Sequence, residues 1–488
     1  MMTSPPTASE TGPTGRPGAV DRPSLSDGFV RVVSERFGGP IGRRVLPGWS
    51  WWNPARWALL VATLTYLAGV VFRLPCRITV VGQAPDHFKY MCYSDIGLLY
   101  SGRGLLQGNT PYLDSGNYPV LEYPVLTGWF LEFERLMTVA LGGPTGTGLS
   151  DQQRVDATAL FVNVNTVVLG ALFLVAVWAQ VRTTTSRPWD AMMLAASPCV
   201  AAAALINWDF LAVALTALGM LFWSRRQPGL AGVMLGLGMA AKLYPLFLLG
   251  PLFLLCWRSQ RLREFSTTLA TFVLSWGLVN LPALILAPDA WLSFWTFNSG
   301  RGGDLGSIWY VLSLAGHEVP ELNLVSAGVF IALCLAIAIL IMLAPRRPRW
   351  GAVAFLVLTA FLLTNKVYSP QYVLWLIPFV ILARPRWRDW WIFTAGELFY
   401  FAAIWWHLGG FLNPGDGSAD RVYWLSVIIR LGTQGWLVTM VVRDILRPAG
   451  DLVRRDGADD PAGGVLDEAA DAPWFDRFRR GFASGRTT

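Results

Sequence analysis

The chain is poor in charge, in lysine, in histidine and in cysteine. Charged residues make up 15% of its 488 residues, against roughly 25% in an ordinary soluble domain. Its three histidines (His87, His317, His407) and five cysteines are scattered, with no His/Cys pair at ligand spacing, so no metal motif is present. There is no Walker A loop and no dinucleotide fingerprint, and no cofactor is expected. No Lys/Arg run alternates with aromatics on a polar face, which argues against nucleic-acid binding. The opening segment is rich in Pro, Gly, Ser and Thr and lacks a signal-peptide apolar run; residues 1–50 are expected to be a disordered tail.

Apolar residues fill most of the rest. They make up 53% of the chain, with 24 Trp and 27 Phe, and the mean hydropathy is +0.43. A soluble fold of this size has no way to bury so much apolar surface, so the chain is expected to be an all-α polytopic membrane protein. About twelve apolar stretches lie between Trp57 and Val442, and are expected to form about twelve membrane spans. Arginines mark alternate junctions, at Arg182/Arg187, Arg225/Arg226, Arg258/Arg261/Arg263, Arg346/Arg347/Arg349 and Arg384/Arg386/Arg388. The positive-inside rule then places both termini in the cytoplasm, of a plasma (inner) membrane, and the arginine-poor loops outside. Residues 446–488 read as a cytoplasmic tail, either solvated or resting on an anionic leaflet through Trp474, Phe475, Phe478 and Phe482 among Arg477, Arg479 and Arg480. Ala191–Ile206 is expected to be one of the spans. Tyr123–Leu141 carries Glu132, Glu134 and Arg135 near its middle, and is expected to be an interfacial or re-entrant helix within a long external loop, about residues 75–156.

Three hairpins share one plan, with tight polar turns at Asn207-Trp208-Asp209, Lys242-Leu243-Tyr244-Pro245 and Asn365 to Gln371. Each arm is about 14–17 residues, or about 21–26 Å of helix against a hydrocarbon core of roughly 30 Å. Such arms would sink the turns below the outer surface. Polar and charged groups at these depths are functional candidates, and Asp95, Asn207, Asp209, Lys242, Arg301, Asp304, Lys366, Gln371 and His407 gather on that side. Lysine occurs only at Lys89, Lys242 and Lys366. A compact ammonium in a sunken turn suits a phosphate, or it merely snorkels to headgroups. Asp95 reads either as a general base for an acceptor hydroxyl or as a helix N-cap beside Ser94. Asn207-Trp208-Asp209 reads either as a sugar site, with the indole stacked on a pyranose, or as a cap. Glu397 is expected to be hydrogen-bonded inside the bundle. Cys76 and Cys92 share the external loop and are candidates for a disulfide.

Several of these motifs resemble those of the GT-C glycosyltransferases, and most of all glycosyltransferase family 87, the mycobacterial mannosyltransferases. They are Asp95 followed by Tyr100, Gly104-Leu105-Leu106, Gly108 and Pro111-Tyr112; then Glu122-Tyr123-Pro124, Asn207-Trp208-Asp209, Ala241 to Pro245, and Lys366 to Tyr372. Tyr123-Pro124-Val125 departs from an expected Tyr-Pro-Pro. The resemblance implies a GT-C-like catalytic domain over residues 51–445, with external loops at about 75–156 and 288–323. It implies inverting transfer, on the outer face, of a sugar, most readily mannose, with arabinofuranose as the alternative. The donor would be a polyprenyl-monophosphate sugar, the acceptor a cell-envelope glycolipid or polysaccharide, and membrane lipids the surroundings. Asp95 would be the base. Lys242, Lys366, Arg301, Tyr368, Gln371 and His407 would hold the donor phosphate, and Asn207, Trp208, Asp209, Tyr123 and Asp304 the sugar or acceptor. A flippase for an anionic polyprenyl-linked glycolipid is the rival reading. Arginine in place of lysine, in an Ala- and Gly-rich chain, agrees with an actinobacterial envelope role.

Overall fold

The computed structural model describes residues 28–29, 32, 53–113, 118–415, 420–455 and 457–475. The expected N-terminal tail lies almost wholly outside these residues, as does the Arg/Phe alternation of residues 477–482. The described chain is helical, with no strand among the described residues.

Among the described residues, five helices are long and apolar enough to cross a membrane: Pro54–Phe72, Asp151–Thr183, Leu262–Leu286, Leu322–Leu343 and Arg421–Leu446. Shorter apolar helices run Asp209–Ser224, Pro228–Ala241, Tyr244–Arg258, Trp350–Thr364 and Pro370–Ala383. They end and restart at the turns expected from sequence. Local signals set the ends. Asn53 caps Pro54–Phe72 through the Ala55 amide at 2.9 Å, and Ser150 with Gln153 forms a capping box for Asp151–Thr183.

Ala191–Ile206 departs from expectation. It forms short pieces, Met192–Ala195 and Pro198–Ala203, in place of one continuous helix. Pro198 forces the preceding Ser197 out of the helical region, to φ −72° and ψ 118°. The Tyr123–Leu141 stretch is a helix over Val125–Ala140. Its central charges are paired or buried, Arg135 with Glu132 at 2.5 Å and Glu134 in the interior.

Packing uses small residues where backbones meet. A Cβ on Gly232 or Gly236 would come within 2.2 or 2.3 Å of backbone carbonyls of Thr268 and Phe272. Glycine at this i, i+4 pair therefore lets Pro228–Ala241 lie directly on Leu262–Leu286, where Thr271 and Ser275 hydroxyls donate to the carbonyls of Gly229 and Val233.

The C-terminal segment, as far as residue 475, docks on the bundle. Asp451 pairs with Arg349 at 2.7 Å, Asp459 with Arg347 at 3.0 Å and Asp471 with Arg258 at 2.7 Å. Trp474 stacks on Trp257, and Phe475 is buried under the Arg258 guanidinium. A solvated tail is thus corrected for this part. The carboxylates after residue 450 are counter-ions for junction arginines that would otherwise be buried alone.

Candidate active site

A cavity of about 640 Å³ opens where the polar turns converge. Asp95, Tyr123, Asn207, Lys242, Arg301, Lys366 and Gln371 all line it, together with an aromatic wall that includes Tyr93, Tyr372 and Trp375. They come from segments up to 276 positions apart, and the bundle alone brings them together.

Asp95 begins the short helix Asp95–Gly102, but Ser94 is its cap, with Oγ accepting from the Ile96 amide at 3.3 Å. The Asp95 carboxylate is left free for the cavity. Its backbone amide is tied to the Ile206 carbonyl at 2.8 Å. Behind it the buried Arg73 guanidinium donates to the carbonyls of Cys92, Tyr93 and Ala202 at 3.1, 2.7 and 3.1 Å. Cys76 and Cys92 form a disulfide, with Cα atoms 5.9 Å apart, that closes the same loop. The Asp95 Oδ2 atom accepts from the Tyr123 hydroxyl at 3.2 Å. Burial pushes the carboxyl above the ordinary carboxylate range, and Tyr93, Lys242 and Tyr123 pull back part of that shift.

Tyr123 joins two groups. Its hydroxyl also accepts from Asn207 Nδ2 at 3.4 Å, and the Lys242 ammonium lies 4.3 Å from its ring centre. Lys242 pairs with the buried Asp209 at 2.9 Å. Asp209 does not line the cavity; it balances Lys242. Trp208 is buried, its indole N–H shared by Glu134 at 2.8 Å and Asn165 at 2.6 Å. That corrects the expectation of an indole stacked on a sugar, because the ring meets the bundle interior.

Lys366 and Arg301 sit on two loops that pair through their backbones, Asp304 N–H to Lys366 O at 2.8 Å and Tyr368 N–H to Leu305 O at 2.9 Å. Arg301 is bound to Asp304 at 2.6 Å. The Lys366 ammonium donates to the carbonyls of Asn298 at 2.9 Å and Arg301 at 2.5 Å, and to Asn323 Oδ1 at 2.5 Å. These acceptors and the more distant Ser299 carbonyl at 3.4 Å are all neutral, so no carboxylate among the described residues balances its charge; burial and the nearby Arg301 lower its pKa. Gly306, at φ +76°, makes the turn after Asp304, and a Cβ there would lie 2.1 Å from the Tyr400 hydroxyl.

Tyr368 and His407 lie outside the cavity lining. The Tyr368 hydroxyl donates to Glu397 at 2.9 Å, under the Arg430 guanidinium. His407 Nδ1 stands 2.7 Å from Asp420, with the ring stacked on Tyr423. The structure therefore gives them no contact with a ligand in the cavity. Gln371 is buried and lines it, with Oε1 unpartnered. Sequence reasoning missed Arg73 and Tyr93, and the Arg103–Glu122 ion pair on the cavity wall. The closeness of Tyr93 to Asp95 in the chain, and Glu122 within the Glu122-Tyr123-Pro124 motif, were the only hints of them.

Residues 154–365 match the family model described as glycosyltransferase family 87. The match indicates a glycosyltransferase. It spans less than half of the chain and agrees with the GT-C resemblance. Of the cavity residues singled out above, the matched segment contains Asn207, Lys242 and Arg301. Asp95, Tyr123, Lys366 and Gln371 fall outside it and reach the same cavity through the fold. A search of curated proteins finds no match.

Proposed function

We propose that the protein is an integral-membrane transferase of about twelve spans that moves a sugar, most readily mannose, from a polyprenyl-monophosphate donor to a cell-envelope glycolipid or glycan. The observation that carries this reading is the Asp95 carboxylate, not spent on the helix cap and hydrogen-bonded by Tyr123, in the same cavity as Lys366, whose charge no carboxylate among the described residues balances. In the reaction the acceptor oxygen attacks the anomeric carbon with inversion while Asp95 takes its proton. The bond from that carbon to the donor phosphate oxygen breaks, and the electron pair leaves with the phosphate. Lys366 stabilises the departing charge, and Arg301, itself paired with Asp304, lies beside it. Gln371 and Asn207 are the candidates for sugar hydroxyls. Lys242, compensated by Asp209, sets the field at Tyr123 more than it binds phosphate directly.

An outward-facing site is supported by the Cys76–Cys92 disulfide beside Asp95, which suits an oxidising compartment. The arginine junctions at the opposite ends of the helices point the same way. The test is sugar transfer by purified protein in nanodiscs from polyprenyl-phosphate mannose to a lipid-glycan extract. Wild type transfers and Asp95→Asn does not, with donor binding kept. Donor binding by wild type with no transfer from either a mannose or an arabinose donor overturns the proposal and favours the flippase.

A further inference from the structure

A second cavity, of about 410 Å³, lies against the other face of the Asp95–Gly102 helix. Asp95 and Leu99 face the first cavity, whereas Gly97 and Ser101, half a helical turn away, line the second. Its wall is apolar. Val70 comes from Pro54–Phe72, Ala159 and Val162 come from Asp151–Thr183, and Ile96 and the half-exposed Leu98 complete the groove. Both long helices are candidate membrane spans.

Besides neutral Ser, Thr, Gln and His side chains, the charged groups lining this cavity are arginines. Arg73, Arg77, His87 and Arg154 line it, and no Asp or Glu does among the described residues. Arg77 and Arg154 take part in no ion pair among the described residues; Arg77 donates to Asn163 and Arg154 to the Leu149 carbonyl. Arg73 is buried, with Nε unpartnered. The nearest acids in the chain, Asp86, Asp151 and Asp156, do not line the cavity, and Asp86 and Asp156 accept from the Phe88 and Lys89 amides and from Gln152, respectively. An apolar trough that ends at two uncompensated arginines matches one chemistry, an acyl chain joined to a phosphate.

We infer that this groove binds a single anionic phospholipid, with its phosphate at Arg77 and Arg154 and one acyl chain along Leu98, Ala159 and Val162. The lipid would brace the back of the helix that presents Asp95. The inference goes beyond the glycosyl-transfer reading and does not depend on it, because its test measures lipid binding and no sugar is involved.

The full-length protein, delipidated in mild detergent, is titrated by native mass spectrometry with phosphatidylglycerol or with phosphatidylcholine of the same chains. One tightly held phosphatidylglycerol is expected, bound about tenfold or more tightly than phosphatidylcholine, as two arginines near an anionic headgroup would give. The double variant Arg77→Gln, Arg154→Gln removes that preference, and Ala159→Trp removes the tight adduct of either lipid. Equal binding of the two lipids, or an unchanged preference in the double variant, overturns the proposal. Displacement of the lipid by millimolar inorganic phosphate alone also overturns it, by making the site one for a free anion. Should the variants fail to fold, wild type is labelled with phosphatidylglycerol carrying a photoreactive acyl chain. Labelling concentrated at residues 96–101 and 155–166 supports the site; labelling spread evenly over other helices such as Leu322–Leu343 overturns it.

Discussion

The Tyr123 hydroxyl donates to the Asp95 carboxylate at 3.2 Å, and Tyr123 also lies beneath the Lys242 ammonium. One side chain thus couples the carboxylate of the first long loop to the lysine of a hairpin turn more than a hundred residues away. Because this hydrogen bond favours the charged carboxylate, it works against the burial that raises the Asp95 pKa.

Removing that donor moves the titration in a known direction. In Tyr123→Phe the Asp95 pKa rises further, so the acid limb of transfer activity shifts to higher pH. Activity falls several-fold at neutral pH and recovers in alkaline buffer. A pH–rate profile with an unmoved acid limb would show that Asp95 is not the titrating base.

Asp95→Asn separates activity from stability. A positioned base contributes about 10²–10⁴ in rate, and transfer falls by that order. The folded pKa of Asp95 is raised above its unfolded value. Its contribution to stability is therefore greatest below the unfolded pKa, and is lost as pH rises through the folded one. At neutral pH the charge is a burden, and Asn relieves it. Thermal unfolding in detergent should show the variant at least as stable as wild type at pH 7, with its advantage vanishing in acid; a clearly less stable variant contradicts this.

Lys366→Met removes a charge that no described carboxylate balances and the ammonium's hydrogen bonds to neighbouring loop carbonyls and Asn323. The KM for the lipid-linked donor rises about tenfold, on the scale of one lost charged hydrogen bond. Backbone amides of residues 298–304 exchange faster. Lys366→Arg keeps charge but not the compact fit, and restores little. Donor KM unchanged in Lys366→Met would leave the residue a loop brace alone.

The docked C-terminal segment carries its own prediction. Asp451→Ala leaves the buried Arg349 without its carboxylate, and removing one partner of a buried pair costs about 3–5 kcal/mol. The melting temperature falls, whereas an exposed control such as Glu318→Ala leaves it in place. Equal melting of Asp451→Ala and wild type would mean the segment does not dock.

Reduction of the Cys76–Cys92 disulfide, 16 residues apart, loosens the loop that carries Asp95. Closing a loop of this length contributes about 3 kcal/mol. Cys76→Ser with Cys92→Ser lowers the unfolding midpoint accordingly and cuts transfer; mass mapping that finds both thiols free in wild type removes the bond and this expectation.

Composition and local pattern by themselves determined the helical, membrane-type character and the places where the chain turns. Hydropathy and the Pro and Asn punctuation act over a few residues and need no partner to be read. The break at Ser197-Pro198 was legible on the same terms but was outweighed by the apolar run around it. Only the tertiary structure decided which polar residues face the cavity. Ser94 takes the cap and frees Asp95, Asp209 neutralises Lys242, and Trp208 and Tyr368 turn into the bundle with Glu134 and Glu397. It also decided that junction arginines are buried, because Asp451, Asp459 and Asp471 fold back onto them from about 100 to 210 residues further along the chain. A side chain's charge is local information, but its counter-ion is set by packing, and a buried charge takes its role from the partner it finds.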